Sequence, residues 1–190
     1  MVYESLIAIV EQNRKAMAES WFEEIKKSEY LKSYNILSDP QLFERGKVLF
    51  ENLLKWLQKG ADEKFIQKYF ENVGSERAKE GFPLSEVNYA LFLEKKVLWS
   101  FIAFKDEIQG PLTPSDAVEF MSVLSSYFDM GEFNIIRGYI RELTEQLIQS
   151  GKFSSSQLES FLKGALIKEQ EKIIPSDLYI EALDINLLRK

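Results

Sequence analysis

The stretch from Ser75 to Phe104, SERAKEGFPLSEVNYALFLEKKVLWSFIAF, constrains this chain more than any other. It closes one helix, turns a corner and launches the most apolar helix of the protein. Arg77 and Lys79 suit a last helical turn, where cations face the negative end of the helix dipole. Gly81 supplies the left-handed conformation that closes a helix, and Pro83 is tolerated in the first turn of the next. From Leu84 onward Val87, Ala90, Leu91, Leu93, Val97, Leu98, Phe101 and Ile102 recur at helical spacing. After Lys96 the stripe widens to almost the whole circumference, which predicts a central helix buried on most sides.

Helical periodicity continues on both sides of this stretch. Leu6, Ile9, Val10, Met17, Trp21 and Ile25 predict a first helix from about Tyr3 to Lys27. Ser28 to Asp39 breaks the pattern and reads as a loop or short helical turns. Asp39 is expected to cap the next helix, with Pro40 at its first position and Gly60 at its end. Asp62 is expected to cap another, whose face carries Phe65, Ile66, Tyr69, Phe70 and Val73. Thr113-Pro114-Ser115-Asp116 combines a cap, a first-turn proline and an acid, the best helix start in the chain. The pattern that follows persists to Ser150 and reads as one long helix in preference to two helices meeting near Gly131. Gly131 and Gly138 each cost it about 1 kcal/mol, and Gly131 marks a soft point. Ser156 with Glu159 forms a capping box for a further helix, and Pro175 restarts a final short segment. Without strand-like alternation, the expected class is all-α: a bundle of about six to eight helices with a long C-terminal helix and a short helical tail.

Composition narrows the chemistry. A formal net charge of −6 and a pI near 5.0 argue against nucleic acid as a partner, because such sites need a basic surface. There is no cysteine and no histidine. That excludes disulfides, thiol nucleophiles and cysteine-held metals, and removes the usual general base and haem ligand. No nucleophile elbow or phosphate-binding glycine loop occurs, and the adjacent acids Glu23-Glu24 and Asp106-Glu107 point in different directions on a helix. The expectation is no catalytic residue, no metal and no cofactor. The run from Val97 to Phe104 is far short of the ~20 residues that span a bilayer. No membrane insertion and a cytoplasmic location are therefore expected.

Several segments resemble the N-terminal sensor domain of the RsbR/RsbRD family. They are Trp21-Phe22 with Ile25, Phe43-Glu44-Arg45, Ser75-Glu76-Arg77-Ala78, the GFPLSEV run from Gly81 to Val87, and Tyr127-Phe128-Asp129 with Tyr139. The resemblance covers about residues 4 to 150. It implies a haem-free, globin-like fold, pairing as a homodimer, and a role in stressosome or related signalling. The lack of histidine agrees with a haem-free domain. The family's architecture continues into a phosphorylatable STAS domain or a kinase core, and the 40 residues after Ser150 hold neither. The expected layout is a stand-alone sensor domain over 1–150 with a helical extension over 151–190.

Candidate sites follow. The aromatic set Trp21, Phe22, Phe50, Trp56, Tyr69, Phe70, Tyr89, Phe92, Trp99 and Phe101 either lines a small-molecule pocket or is simple core. In the pocket reading Arg77, Asn88 and Tyr89 are the polar anchors for a small apolar or anionic ligand, beside Trp21, Phe92 and Trp99. Arg77 alternatively pairs with Glu76, Glu80 or Glu86. Phe128, Ile135 and Tyr139 on the long helix, and Phe161, Leu162 and Leu166 in the tail, are the candidate dimer or partner interface. The apolar tail must be covered by the body, a second copy or another protein. Two functions remain open. One is a non-enzymatic, homodimeric signalling module that binds a regulatory protein and senses a ligand; the other is a structural adaptor that docks a partner through its C-terminal helices.

Overall fold

The structure is a computed structural model and describes residues 2–103, 114–158 and 160. Its described residues are all-α, a globin-like helical bundle with a long α6. The helices are α1 (Val2–Lys27), α2 (Lys32–Asn35), α3 (Asp39–Gln58), α4 (Glu63–Lys79), α5 (Leu84–Ala103) and α6 (Pro114–Gln149). The long helix expected after Thr113 is continuous through Gly131. The chain divides into two compact units, Met1–Leu143 and Thr144–Lys190.

Helix boundaries follow local chemistry. The cap of α3 is Ser38, one residue before the expected Asp39: its backbone N–H donates to Gln41 Oε1 at 3.1 Å, and Pro40 sits in the first turn. Asp39, the first helical residue, instead pairs with Lys26 of α1 at 2.9 Å. Asp62 caps α4 as expected, accepting from the Lys64 backbone N–H at 2.9 Å. Gly81, with φ of 76°, ends α4 as the sequence implies. Phe82 N–H donates to Arg77 O and Gly81 N–H to Ala78 O, the paired bonds of a Schellman closure.

Unit 1 holds the core. Trp21 of α1, Phe50 of α3, Phe70 of α4 and Tyr127 of α6 are among its largest fully buried side chains. Ring contacts tie Trp56, Tyr127, Phe70 and Phe128 together at centroid distances of 4.9–5.3 Å. Trp21 also donates through Nε1 to the Ala90 carbonyl of α5 at 3.0 Å.

The glycines of α6 hold helices together. A Cβ on Gly138 would fall on the Glu71 carbonyl of α4, and a Cβ on Gly74 of α4 would fall on the Ile135 carbonyl of α6. Gly131 faces the Phe70 ring, 2.8 Å from where its Cβ would stand. The soft point expected at Gly131 is thus a close-approach point: these glycines have no side chain because another helix occupies the space. Polar links flank the seam. Arg141 reaches Glu71 at 3.1 Å, and Glu142 accepts from Ser75 at 2.8 Å and pairs with Lys79 at 3.3 Å.

Unit 2 contains the end of α6 from Thr144, a turn with Gly151 at φ of 71°, and the start of a further helix. That start is capped by Ser154 and Gln157, two residues before the expected Ser156: Ser154 N–H donates to Gln157 Oε1 at 2.9 Å, and Gln157 N–H donates back to Ser154 Oγ at 3.3 Å. Thr113, Glu159, Phe161, Leu162 and Leu166 lie outside the described residues.

Candidate functional site

A cleft of about 520 Å³ opens within unit 1 between α3, α4 and α5, reaching Trp21 of α1 and Ile135 of α6. This size lies in the range of small-molecule sites. Its inner wall is apolar and aromatic, built from Trp21, Leu49, Tyr69, Phe70, Val73 and Leu91. Its outer part carries charge: Glu44 and Arg45 from α3, Glu76 and Arg77 from α4, and Glu80 at the corner.

The helix pattern explains this arrangement. Tyr69, Val73, Glu76 and Arg77 recur at spacings of three and four along α4, so they share the face turned to the cleft. The Gly81 corner then folds Phe82 back beneath both arginines. Arg45 and Arg77 lie over the Phe82 ring, 5.2 and 5.9 Å from its centroid, and Tyr34 meets the same ring edge-on at 4.9 Å. The Phe82 carbonyl accepts from Tyr139 Oη at 2.6 Å. One carboxylate bridges the cations: Glu80 Oε1 accepts from Arg45 at 2.7 Å and Oε2 from Arg77 at 2.9 Å. Of the two readings of Arg77, pairing is realised, with Glu80 and, at 4.0 Å, Glu76.

Deep in the cleft stands Glu94 of α5, fully buried. Burial pushes its carboxyl up to about 8, against a smaller opposing effect of the Tyr127 hydroxyl. It therefore carries its proton at neutral pH. Tyr127 Oη donates to Glu94 Oε1 over a long 3.5 Å, while Glu94 Oε2 has no hydrogen-bond partner. Burial likewise raises Tyr34, Tyr69 and Tyr127 above the usual phenol range, so all three stay neutral. Two more buried polar atoms of the lining lack partners, Arg45 Nη1 and Arg77 Nε.

The structure brings some of the expected ligand residues together and leaves others apart. Trp21 and Arg77 line the cleft, as do Tyr69 and Phe70 from the aromatic set. Asn88, Tyr89, Phe92 and Trp99 are not in its lining. Tyr89 stacks on Phe92 at 5.6 Å, and Phe92 is 53% exposed. The interface candidates Phe128, Ile135 and Tyr139 are buried within the chain itself, with Phe128 against Tyr127, Ile135 at the cleft and Tyr139 on the corner. Their periodicity on α6 marks the side turned to the protein's own core. Glu94 and Arg45 are not among the site residues expected from the sequence, although Arg45 belongs to one of the segments that carry the family resemblance. The signal for Glu94 is its place in the apolar stripe of α5, four residues after Ala90 and four before Leu98.

Among the described residues no group of histidine, cysteine, aspartate and glutamate could hold a metal ion, and no helix is long and apolar enough to cross a membrane. The family profile of the RsbT co-antagonist protein rsbRD N-terminal domain matches residues 15–151. The chain belongs to the RsbRD N-terminal domain family. The match covers every residue that lines the cleft and the α4–α6 seam, and it begins within α1. No curated protein and no solved structure matches the chain. In this RsbRD N-terminal domain, a family of signalling input domains, the globin-like bundle carries the charged, aromatic-walled cleft described above.

Proposed function

We propose that this RsbRD N-terminal domain is a non-enzymatic, cytoplasmic input module that senses a small molecule in the α3–α4–α5 cleft and signals through protein contacts. The observation that carries the reading is the cleft itself, which is large enough for a ligand and whose buried lining holds Arg45 Nη1, Arg77 Nε and Glu94 Oε2 without partners. Buried polar atoms are normally satisfied, and unsatisfied ones clustered in a cavity favour an occupant. A ligand would act by binding one arrangement of the helices better than another. The lining includes residues of α4 and the Gly81 corner, and those same elements contact α6 through Gly74 and Tyr139.

Its output in this reading is a regulatory protein partner and a homodimer, and membership of a family of signalling input domains supports the protein contacts. Val118, Met121 and Phe133 on α6 are exposed apolar residues suited to such contacts. The experiment is a thermal-shift screen of small molecules on the full chain beside Val48→Trp. Val48 stands 40% exposed in the cleft lining, so an indole there is expected to narrow the cleft rather than enter the core. Compounds that raise the melting temperature of the wild type and not of Val48→Trp support the reading. Equal shifts in both, or none in either, contradict it.

A further inference from the structure

The chemistry of the cleft selects among ligand classes. Its cations are already matched: Glu80 bridges Arg45 and Arg77, Glu76 stands 4.0 Å from Arg77, and Glu44 is held by Lys47 at 2.6 Å. An incoming anion would meet three carboxylates at the charged end beside the two guanidinium groups. What remains unused is hydrogen-bond donation. Arg45 Nη1 and Arg77 Nε are buried donors without acceptors. At the inner wall Glu94 is fully buried, and its Oε2 is also without a partner. Burial favours the protonated carboxyl there, because no cation stands among the groups that shift it. A protonated carboxyl is a donor. The wall between these groups is apolar, formed by Tyr69, Phe70, Val73 and Leu91.

Resting on the cleft as a ligand site, we propose that its occupant is a neutral, mainly apolar molecule bearing carbonyl-type acceptor oxygens, one received by Glu94 and another by the Arg45–Arg77 pair. The apolar body supplies affinity through burial, and the acceptors supply selectivity, since each one left unmatched keeps a buried donor unsatisfied. An anionic ligand, the alternative suggested by the arginines, is disfavoured by the carboxylates already on the guanidinium groups.

The test is equilibrium dialysis of the full chain against three matched probes: menadione, with two carbonyl oxygens; 2-methylnaphthalene, the same skeleton without oxygen; and 2-naphthoate, an anion. The chain has no cysteine, so thiol addition to the quinone does not interfere. Menadione is expected to bind roughly tenfold or more tighter than 2-methylnaphthalene, and tighter than 2-naphthoate. Glu94→Leu should bring the menadione to 2-methylnaphthalene ratio towards one, whereas Glu94→Gln, whose amide still donates, should keep it. Equal binding of menadione and 2-methylnaphthalene, an unchanged ratio in Glu94→Leu, or tighter binding of 2-naphthoate overturns the proposed ligand class and leaves the cleft as a binding site. Failure of all three probes, or equal binding to Val48→Trp, overturns the site as well.

Discussion

The two sides of α4 are packed in opposite ways. Towards α6, Gly74 meets the Ile135 and Tyr139 backbone and Glu71 meets Gly138, with no room for a methyl group. Ion pairs and hydrogen bonds through Glu71, Ser75 and Lys79 close the flanks. Towards α3 and α5, the same helix lines about 520 Å³ of cleft with Tyr69, Val73, Glu76 and Arg77. The first contact fixes a geometry through steric exclusion, which changes steeply with distance. The second leaves space and three unpartnered polar atoms. A helix held hard on one side and underfilled on the other is suited to report occupancy of the cleft to the element it is locked against.

The largest effect that would break this contrast is expected at the seam. Gly138→Ala puts a methyl group on the Glu71 carbonyl, which cannot rotate away, so α4 and α6 must separate. A loss of about 4 kcal/mol is expected, seen as a drop of about 10 °C in melting temperature. A change within 1 °C would show that the seam has room for a methyl group at Gly138.

Next comes the buried acid. The Glu94 carboxyl, raised from 4.5 to about 8, binds its proton more tightly in the folded than in the unfolded chain. Its contribution is therefore most favourable below pH 4.5, is lost as pH rises towards 8, and levels off above. Glu94→Gln removes that loss. Its stability relative to wild type should rise by roughly 3 kcal/mol between pH 5 and pH 8, measured by urea denaturation at both. Parallel pH dependence in the two proteins would place an ionised carboxylate in the cleft.

Gly131→Ala separates the two kinds of contact within one helix. Its neighbour is the edge of the Phe70 ring rather than backbone, so the ring can shift at a cost of about 1–2 kcal/mol. The smallest effect belongs to the cleft. Val48→Trp should change stability by less than about 0.5 kcal/mol while abolishing ligand response. A large loss of stability there would mean that the cleft is less open than its volume indicates.

Much of the fold was legible because it is written locally. The Gly81 corner, the Asp62 cap and the apolar stripe of α5 each depend on a few adjacent residues, and each stands where the sequence puts it. Caps displaced by one or two residues, Ser38 for Asp39 and Ser154 for Ser156, reflect runs in which several side chains can serve; at the first, Lys26 draws Asp39 away from the cap. The site was less legible because it depends on what helices distant in sequence leave between them. Trp21, Tyr69 and Phe70 stand out in the sequence only as aromatics at helical spacing, and Arg77 as a cation beside the corner. Tyr89 and Phe92 share α5 with Glu94 but stack on each other outside the cleft. Gly131 and Gly138, seven residues apart, stand on one face of α6, yet composition alone reads them as weak points. Only the position of α4 shows that their missing side chains are occupied space.

The most direct test of the cleft as a ligand site is a crystal structure of the full chain soaked with menadione. The ring is expected between Tyr69 and Leu91, with one carbonyl oxygen about 3 Å from the Glu94 carboxyl and the other turned to Arg45 and Arg77. Menadione bound only outside the cleft, or a cleft already filled by repacked side chains, would contradict it.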